Sequence, residues 1–202
     1  MKKTTYSFLF FLLLSFSVSA QLRINTTGGY FLNAGDFNGF RVGGYALDAN
    51  VRFGAKKSLQ WGFGTGYYRT VFPVSLTVSI SNPQEVLSAD LVQTYIPITF
   101  GFEKYLSKAR LRAFTGMEGG LILPAISVER NSQTPLQAVI TSNYSNSRSV
   151  NFTANGTFGI LYDINENIGF VAKTRYSGII DQNGYYTNAI TFSGGLSFVV
   201  GK

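Results

Sequence analysis

The stretch Ser149–Asp163, SVNFTANGTFGILYD, constrains the fold more than any other part of this chain. Val150, Phe152, Ala154, Phe158, Ile160 and Tyr162 share one parity, and Asn151, Thr153, Asn155 and Thr157 share the other. A period of two puts these sets on opposite faces of a β-strand. The alternation then recurs along the chain. Tyr45, Leu47, Ala49, Val51 and Phe53 oppose Asp48, Asn50 and Arg52. Leu59, Trp61, Phe63, Thr65 and Tyr67 oppose Gln60, Gly62, Gly64 and Gly66. Ile96, Ile98, Phe100 and Phe102 oppose Tyr95, Thr99, Gly101 and Glu103. Further segments span 22–32 and 110–123, the latter carrying Arg112, Phe114, Gly116 and Glu118 on one parity. In the last two, Phe170, Ala172, Thr174 and Tyr176 oppose Val171, Lys173 and Arg175, and Ile190, Phe192, Leu196, Phe198 and Val200 oppose Thr191, Ser193, Gly195 and Ser197.

Eight strands with one apolar and one polar face fit two worlds. In a soluble calyx the apolar face looks inward. In a membrane barrel it looks outward at lipid. The charges decide. Asp48, Arg52, Glu103, Arg112, Glu118, Lys173 and Arg175 all fall on the polar parity, and the opposite parity is almost uncharged in its central stretches. Thr65, Thr153, Thr157, Thr191, Ser193 and many glycines would make a poor soluble exterior but a good crowded lumen. Only 13% of residues are charged and 15% are aromatic, which is lean for a water-facing surface. Connections also alternate. GAKKS, LSKA and DINEN are short, whereas 72–90 and 124–149 are long. Short turns on one rim and long loops on the other are the habit of outer-membrane barrels. The expected fold is all-β: an eight-stranded antiparallel up-and-down transmembrane β-barrel.

The N-terminus supports an exported chain. Lys2 and Lys3 precede an apolar run over Phe8–Phe16, and Val18, Ser19 and Ala20 supply small residues for cleavage. Residues 1–20 therefore read as a signal peptide and 21–202 as the barrel domain. The alternative, a membrane anchor, needs roughly 20 apolar residues, more than this run offers. The net charge of +7 includes Lys2 and Lys3, and no basic run exceeds Lys56-Lys57. Together with export, this argues against nucleic acid as a partner.

The strand TYIPITFGFEKYL, the glycine-rich FTGMEGGLILPA and the signal ending at Ala20-Gln21 resemble the PorT-like family of small outer-membrane β-barrels. The C-terminus resembles the assembly signal of such barrels, with Ser193, Gly195, Phe198 and Val200 in its places. The resemblance implies outer-membrane lipid and the barrel assembly machinery as partners. Pro97 stands in the fourth strand, where proline must cost a ladder bond or force a bulge.

Chemistry is sparse. The chain has no histidine and no cysteine, which removes most hydrolytic triads and makes a zinc or transition-metal site improbable. Glu103 and Glu118 could be imagined as a catalytic carboxylate pair. Charge balance inside the barrel is the better reading, with the glutamates balancing Arg112, Arg52, Lys173 and Arg175 and either of them paired to Arg112 or a nearby base. DINEN has oxygens suited to calcium but the length of a tight turn. The triplets NTT, NYS, NFT and NGT match glycosylation acceptors, with two expected inside strands and little meaning in a bacterium. No cofactor and no enzymatic activity are expected. What remains is a scaffold whose long loops, 72–90 and 124–149, contact an unidentified protein or surface. A narrow porin-like channel is the alternative, and a soluble periplasmic calyx a more distant one. Val74, Leu76, Val78 and Ile80 alternate within the first loop, so both loops are expected to project as strands, the alternative being that the two extensions pair with each other and close the outer mouth of the barrel.

Overall fold

The computed structural model describes residues 21–33, 43–78, 85–130, 150–180, 184 and 186–201. The signal segment, 1–20, lies outside them, as do 79–84 and 131–149 of the two long connections. Eight strands are present: β1 (Leu22–Asn33), β2 (Gly43–Phe53), β3 (Leu59–Val78), β4 (Glu85–Tyr105), β5 (Leu111–Arg130), β6 (Asn151–Asp163), β7 (Ile168–Ile180) and β8 (Tyr186–Val200). Each pairs antiparallel with its sequence neighbour, and β8 closes on β1 from Leu22↔Val200 to Asn33↔Ala189. The result is a closed barrel without a free edge in its wall, as the alternation requires.

The faces fall as expected for a transmembrane barrel. Leu47, Phe63, Ile98, Phe100, Phe158 and Phe192 are each more than half exposed on the outer wall. The opposite parity is buried and polar, with Arg52, Glu103, Glu118, Lys173 and Arg175 inside. Thr65 is a correction: it faces outward, between Phe63 and Tyr67, and donates a hydrogen bond to the Pro97 carbonyl at 3.0 Å. Two aromatic belts bound the apolar wall. Tyr30, Tyr45, Tyr67, Tyr176 and Tyr186 stand exposed toward the long-loop end. Toward the short-turn end, Trp61 stacks on Phe53 with ring centroids 4.4 Å apart. From Tyr45 to Phe53 the strand runs about 26 Å at 3.3 Å per residue, enough, when tilted, to cross most of a bilayer core.

The turns are built from local chemistry. Gly54 takes φ = 81°, a conformation that disfavours a side chain, and the amides of Gly54 and Ala55 both donate to the Gln21 carbonyl at 3.0 Å. In the β6–β7 connection the Asn165 side-chain oxygen accepts from the amides of Asn167 and Ile168 at 2.9 Å. That is an Asx turn, and it takes up an oxygen that calcium would need. Pro97 is accommodated without a bulge. Thr65↔Ile98 and Tyr68↔Tyr95 keep one register, and pairing between β3 and β4 lapses between them, opposite Pro97. Its pairing to Ile122 of β5 is retained. Three acceptor triplets, starting at Asn25, Asn151 and Asn155, lie in strands rather than two, because β1 runs through NTT. The fourth is outside the described residues.

Three strands outrun the wall. β3, β4 and β5 have 20, 21 and 20 residues, against 11 to 15 elsewhere. Register with β2 ends at Gly44↔Thr70, and register with β6 ends at Asn151↔Ile122. Beyond those points, β3 and β5 pair only with β4 among the described residues, as Val78↔Glu85 and Ala89↔Arg130 mark. The segments 72–78 and 85–90 are therefore strand, as their alternation indicates, and so is 124–130. The two extensions also pair with each other through β4.

Candidate functional site: a charged lumen and a projecting sheet

The lumen is layered. At the long-loop end, Phe31, Ala46 and Tyr68 form a buried apolar cluster with Tyr95 against it. At the short-turn end, Tyr105, Phe114, Leu161 and Val171 form a second. Between them lie six charged side chains, and their formal charges cancel. Arg52 pairs with Glu118 and with Glu103, the latter at 3.0 Å. Arg175 pairs with Asp48 at 3.0 Å and with Glu118 at 3.6 Å. Lys173 reaches Asp48 at 3.7 Å. Glu118 thus joins two clusters into one chain running Lys173, Asp48, Arg175, Glu118, Arg52, Glu103.

Neutral groups complete the coordination. The Tyr68 hydroxyl donates to Asp48 at 2.9 Å, Thr99 to Glu118 at 3.2 Å and Tyr105 to Glu103 at 3.0 Å. The apolar clusters hold the tyrosines that cap the network. Burial is near complete: the side chains of Arg52, Asp48 and Glu118 are 0%, 2% and 2% exposed. Charges so placed need partners, because a lone one would cost several kcal/mol after relaxation. Glycine makes the room. A Cβ on Gly101 would sit 2.7 Å from Glu118 Cγ, and one on Gly116 would sit 3.0 Å from Glu103 Cγ.

Six of the seven charged residues singled out by parity, Asp48, Arg52, Glu103, Glu118, Lys173 and Arg175, share this network. Arg112 does not. It forms an ion pair with Asp163 and lies over the Tyr105 ring, 5.4 Å from its centroid. Of the bases expected to balance the glutamates, Arg112 is the one left outside the network: both glutamates take Arg52, and Glu118 also takes Arg175. The reason is depth. Arg112 is aligned with Leu161 at the short-turn end, while Glu118 is aligned with Asn155, half a strand further in. Asp163 also receives Arg23 at 3.2 Å, and Arg23 donates to the Ser197 hydroxyl at 2.9 Å. Arg23 and Asp163 escaped the sequence reading. Asp163 looks like part of a turn, and the parity of β1 is blurred by Thr26 and Gly28 on the outer side.

Both glutamates are committed to arginine, which supports charge balance over a carboxylate pair poised for hydrolysis. Among the described residues no cluster of three or more acidic side chains could hold a metal ion. Ser193 and Gly195 face the lumen side of β8, and Phe198 and Val200 face outward, aligned with Ile24 and Leu22 across the closing seam.

No family model matches this chain, and no curated relative does. Solved structures do. Neisserial surface protein A is similar over 88% of this chain and 96% of its own, with a TM-score of 0.55 and 13% identity. OprG, an outer membrane protein of Pseudomonas aeruginosa, is similar over 91% of this chain and 97% of its own, with a TM-score of 0.50 and 14% identity. At such identity the likeness is one of fold, and the fold shared is the small outer-membrane β-barrel.

Proposed function

We propose that this chain is a non-enzymatic outer-membrane protein whose working part is the sheet that β3, β4 and β5 raise beyond the barrel. One observation carries the reading. These strands continue about eight residues past their neighbours, some 26 Å of strand at 3.3 Å per residue, instead of turning back at the wall. Lipid and closure set the length of a wall, so extra length needs another reason. Among the described residues no strand pairs with the outer sides of β3 beyond Thr70 and β5 beyond Ile122, the arrangement that β-augmentation uses. The partner is a protein or surface reached through 72–90 and 124–149, of which 79–84 and 131–149 lie outside the described residues. Membership of the PorT-like family, export through the signal segment and insertion by the barrel assembly machinery belong to the same reading.

The channel alternative is less well supported. Two apolar clusters and a neutral ion network fill successive levels of the lumen. A solute would have to displace buried ion pairs to pass. The experiment replaces 72–90 and 124–149 by tight turns, separately. Each shortened protein should still assemble and keep its heat-modifiable gel shift, while the deletion phenotype returns and partner recovery from solubilised outer membranes is lost. Full complementation by both shortened forms would overturn the proposal.

A further inference from the structure

The opposite rim carries a second feature. A cleft of about 500 Å³ opens at the short-turn end. Its walls include five cations, Arg23, Lys56, Lys108, Arg110 and Arg112, against two anions, Asp163 and Glu166. Asp163 is already engaged by both Arg23 and Arg112. Lys56, Lys108, Arg110 and Glu166 make no ion pair among the described residues. Arg23 is 2% exposed, and its Nε, like that of Arg112, is buried without a hydrogen-bond partner. Two turns, bearing Lys56 and Lys108 with Arg110, together with Arg23 of β1 and Arg112 of β5, thus bring a net positive charge to one concavity. A purely structural rim would need no such surplus, since like charges gathered in a cleft repel.

We propose that this cleft binds a soluble polyanion, a small molecule or chain end bearing two or more phosphate or carboxylate groups. The volume is that of a small-ligand site. Three of the five cations are arginines, whose planar forks suit phosphate and carboxylate alike. The site lies inside the ring of strand ends, lined by Arg23, Arg112 and Val199 from the lumen side. A bilayer headgroup sits outside that ring, so the ligand comes from solution. Placing that solution in the periplasm rests on the short turns facing that side, as they do in outer-membrane barrels. The binding itself does not, and it is independent of the projecting sheet.

The test is calorimetric titration of the folded full-length barrel in zwitterionic micelles at low salt, with tripolyphosphate in one arm and citrate in the other. Saturable binding near one per barrel is expected in at least one arm, and the arms separate phosphate from carboxylate. Lys108→Gln and Arg110→Gln, both on an exposed turn, should each weaken it by about fivefold. Lys104→Gln is the control, because Lys104 points outward from the wall and does not line the cleft. Its affinity should match that of the unmodified protein. Binding should also fade as salt shortens the screening length. Absence of saturable binding in both arms would overturn the proposal. So would an equal loss in Lys104→Gln, which would reduce the effect to net charge. A heat-modifiable gel shift confirms that each variant is folded.

Discussion

Replacing Arg52 by Met tests the lumenal network at its most dependent point. Arg52 is fully buried and is the sole ion-pair partner of Glu103 among the described residues. Glu118 keeps Arg175 at 3.6 Å and the Thr99 hydroxyl at 3.2 Å when Arg52 is gone. Glu103 keeps only the Tyr105 hydroxyl at 3.0 Å. The substitution therefore strands one carboxylate and weakens the coordination of another. Leaving a buried charge uncompensated costs roughly 3–5 kcal/mol. Adding Glu103→Gln removes the stranded charge while leaving Tyr105 an oxygen to donate to. The double variant should then lose no more than about 2 kcal/mol. The assay is urea unfolding of the barrel in phosphatidylcholine vesicles, followed by Trp61. It is the only tryptophan in the chain and stands on the outer wall, so its emission reports transfer from lipid to water. A single-variant loss below about 1 kcal/mol would refute the reasoning, as would strict additivity of the two substitutions.

Other expectations follow from the same structure. Phe158→Lys puts a charge on the lipid face at a cost of roughly 2–4 kcal/mol near the midplane. Asn155→Lys adds a charge beside Glu118, its register partner, and should harm folding into vesicles less. Gly101→Val should impair assembly, because a Cβ there falls 2.7 Å from both Cα and Cγ of Glu118. Refolding yield in vesicles measures it, and a yield equal to the unmodified protein would contradict the packing described. In planar bilayers the barrel should show no stable unit conductance, since apolar clusters close both ends of the lumen. Regular conductance steps would restore the channel reading.

Most of the wall was legible in the sequence, and the reason is geometric. A strand has a side-chain period of two, so parity alone assigns each residue of β2 or β6 to lipid or lumen. Parity does not report depth. It placed Arg112 on the lumen face with the glutamates, but the partner of Glu103 on β4 depends on strand stagger, for which the sequence carries no local signal, whereas Glu118 is simply separated from Arg112 along β5 itself. Asp163 failed for a related reason: at a strand end, the last inward position and the first turn residue look alike. Tyr68 and Tyr105 were equally hidden. Each sits next to an aromatic or lysine of the opposite parity, and only the register shows that its hydroxyl caps a buried carboxylate. The projecting strands could be read from the alternation at Val74, Leu76 and Val78, and mutual pairing of the two extensions stood as an alternative, whereas the register of that pairing through β4 could not be read.

The central claim is that the apolar parity faces lipid and the charged parity faces the lumen. The chain has no cysteine, so single cysteines can be placed without background. Bimane attached at position 158 in one variant and at position 157 in another compares two adjacent residues of β6, in vesicles containing brominated lipid tails. Quenching should be strong at 158 and weak at 157. Strong quenching at 157 with protection at 158 would mean that the barrel is inside out, with the charged parity facing lipid.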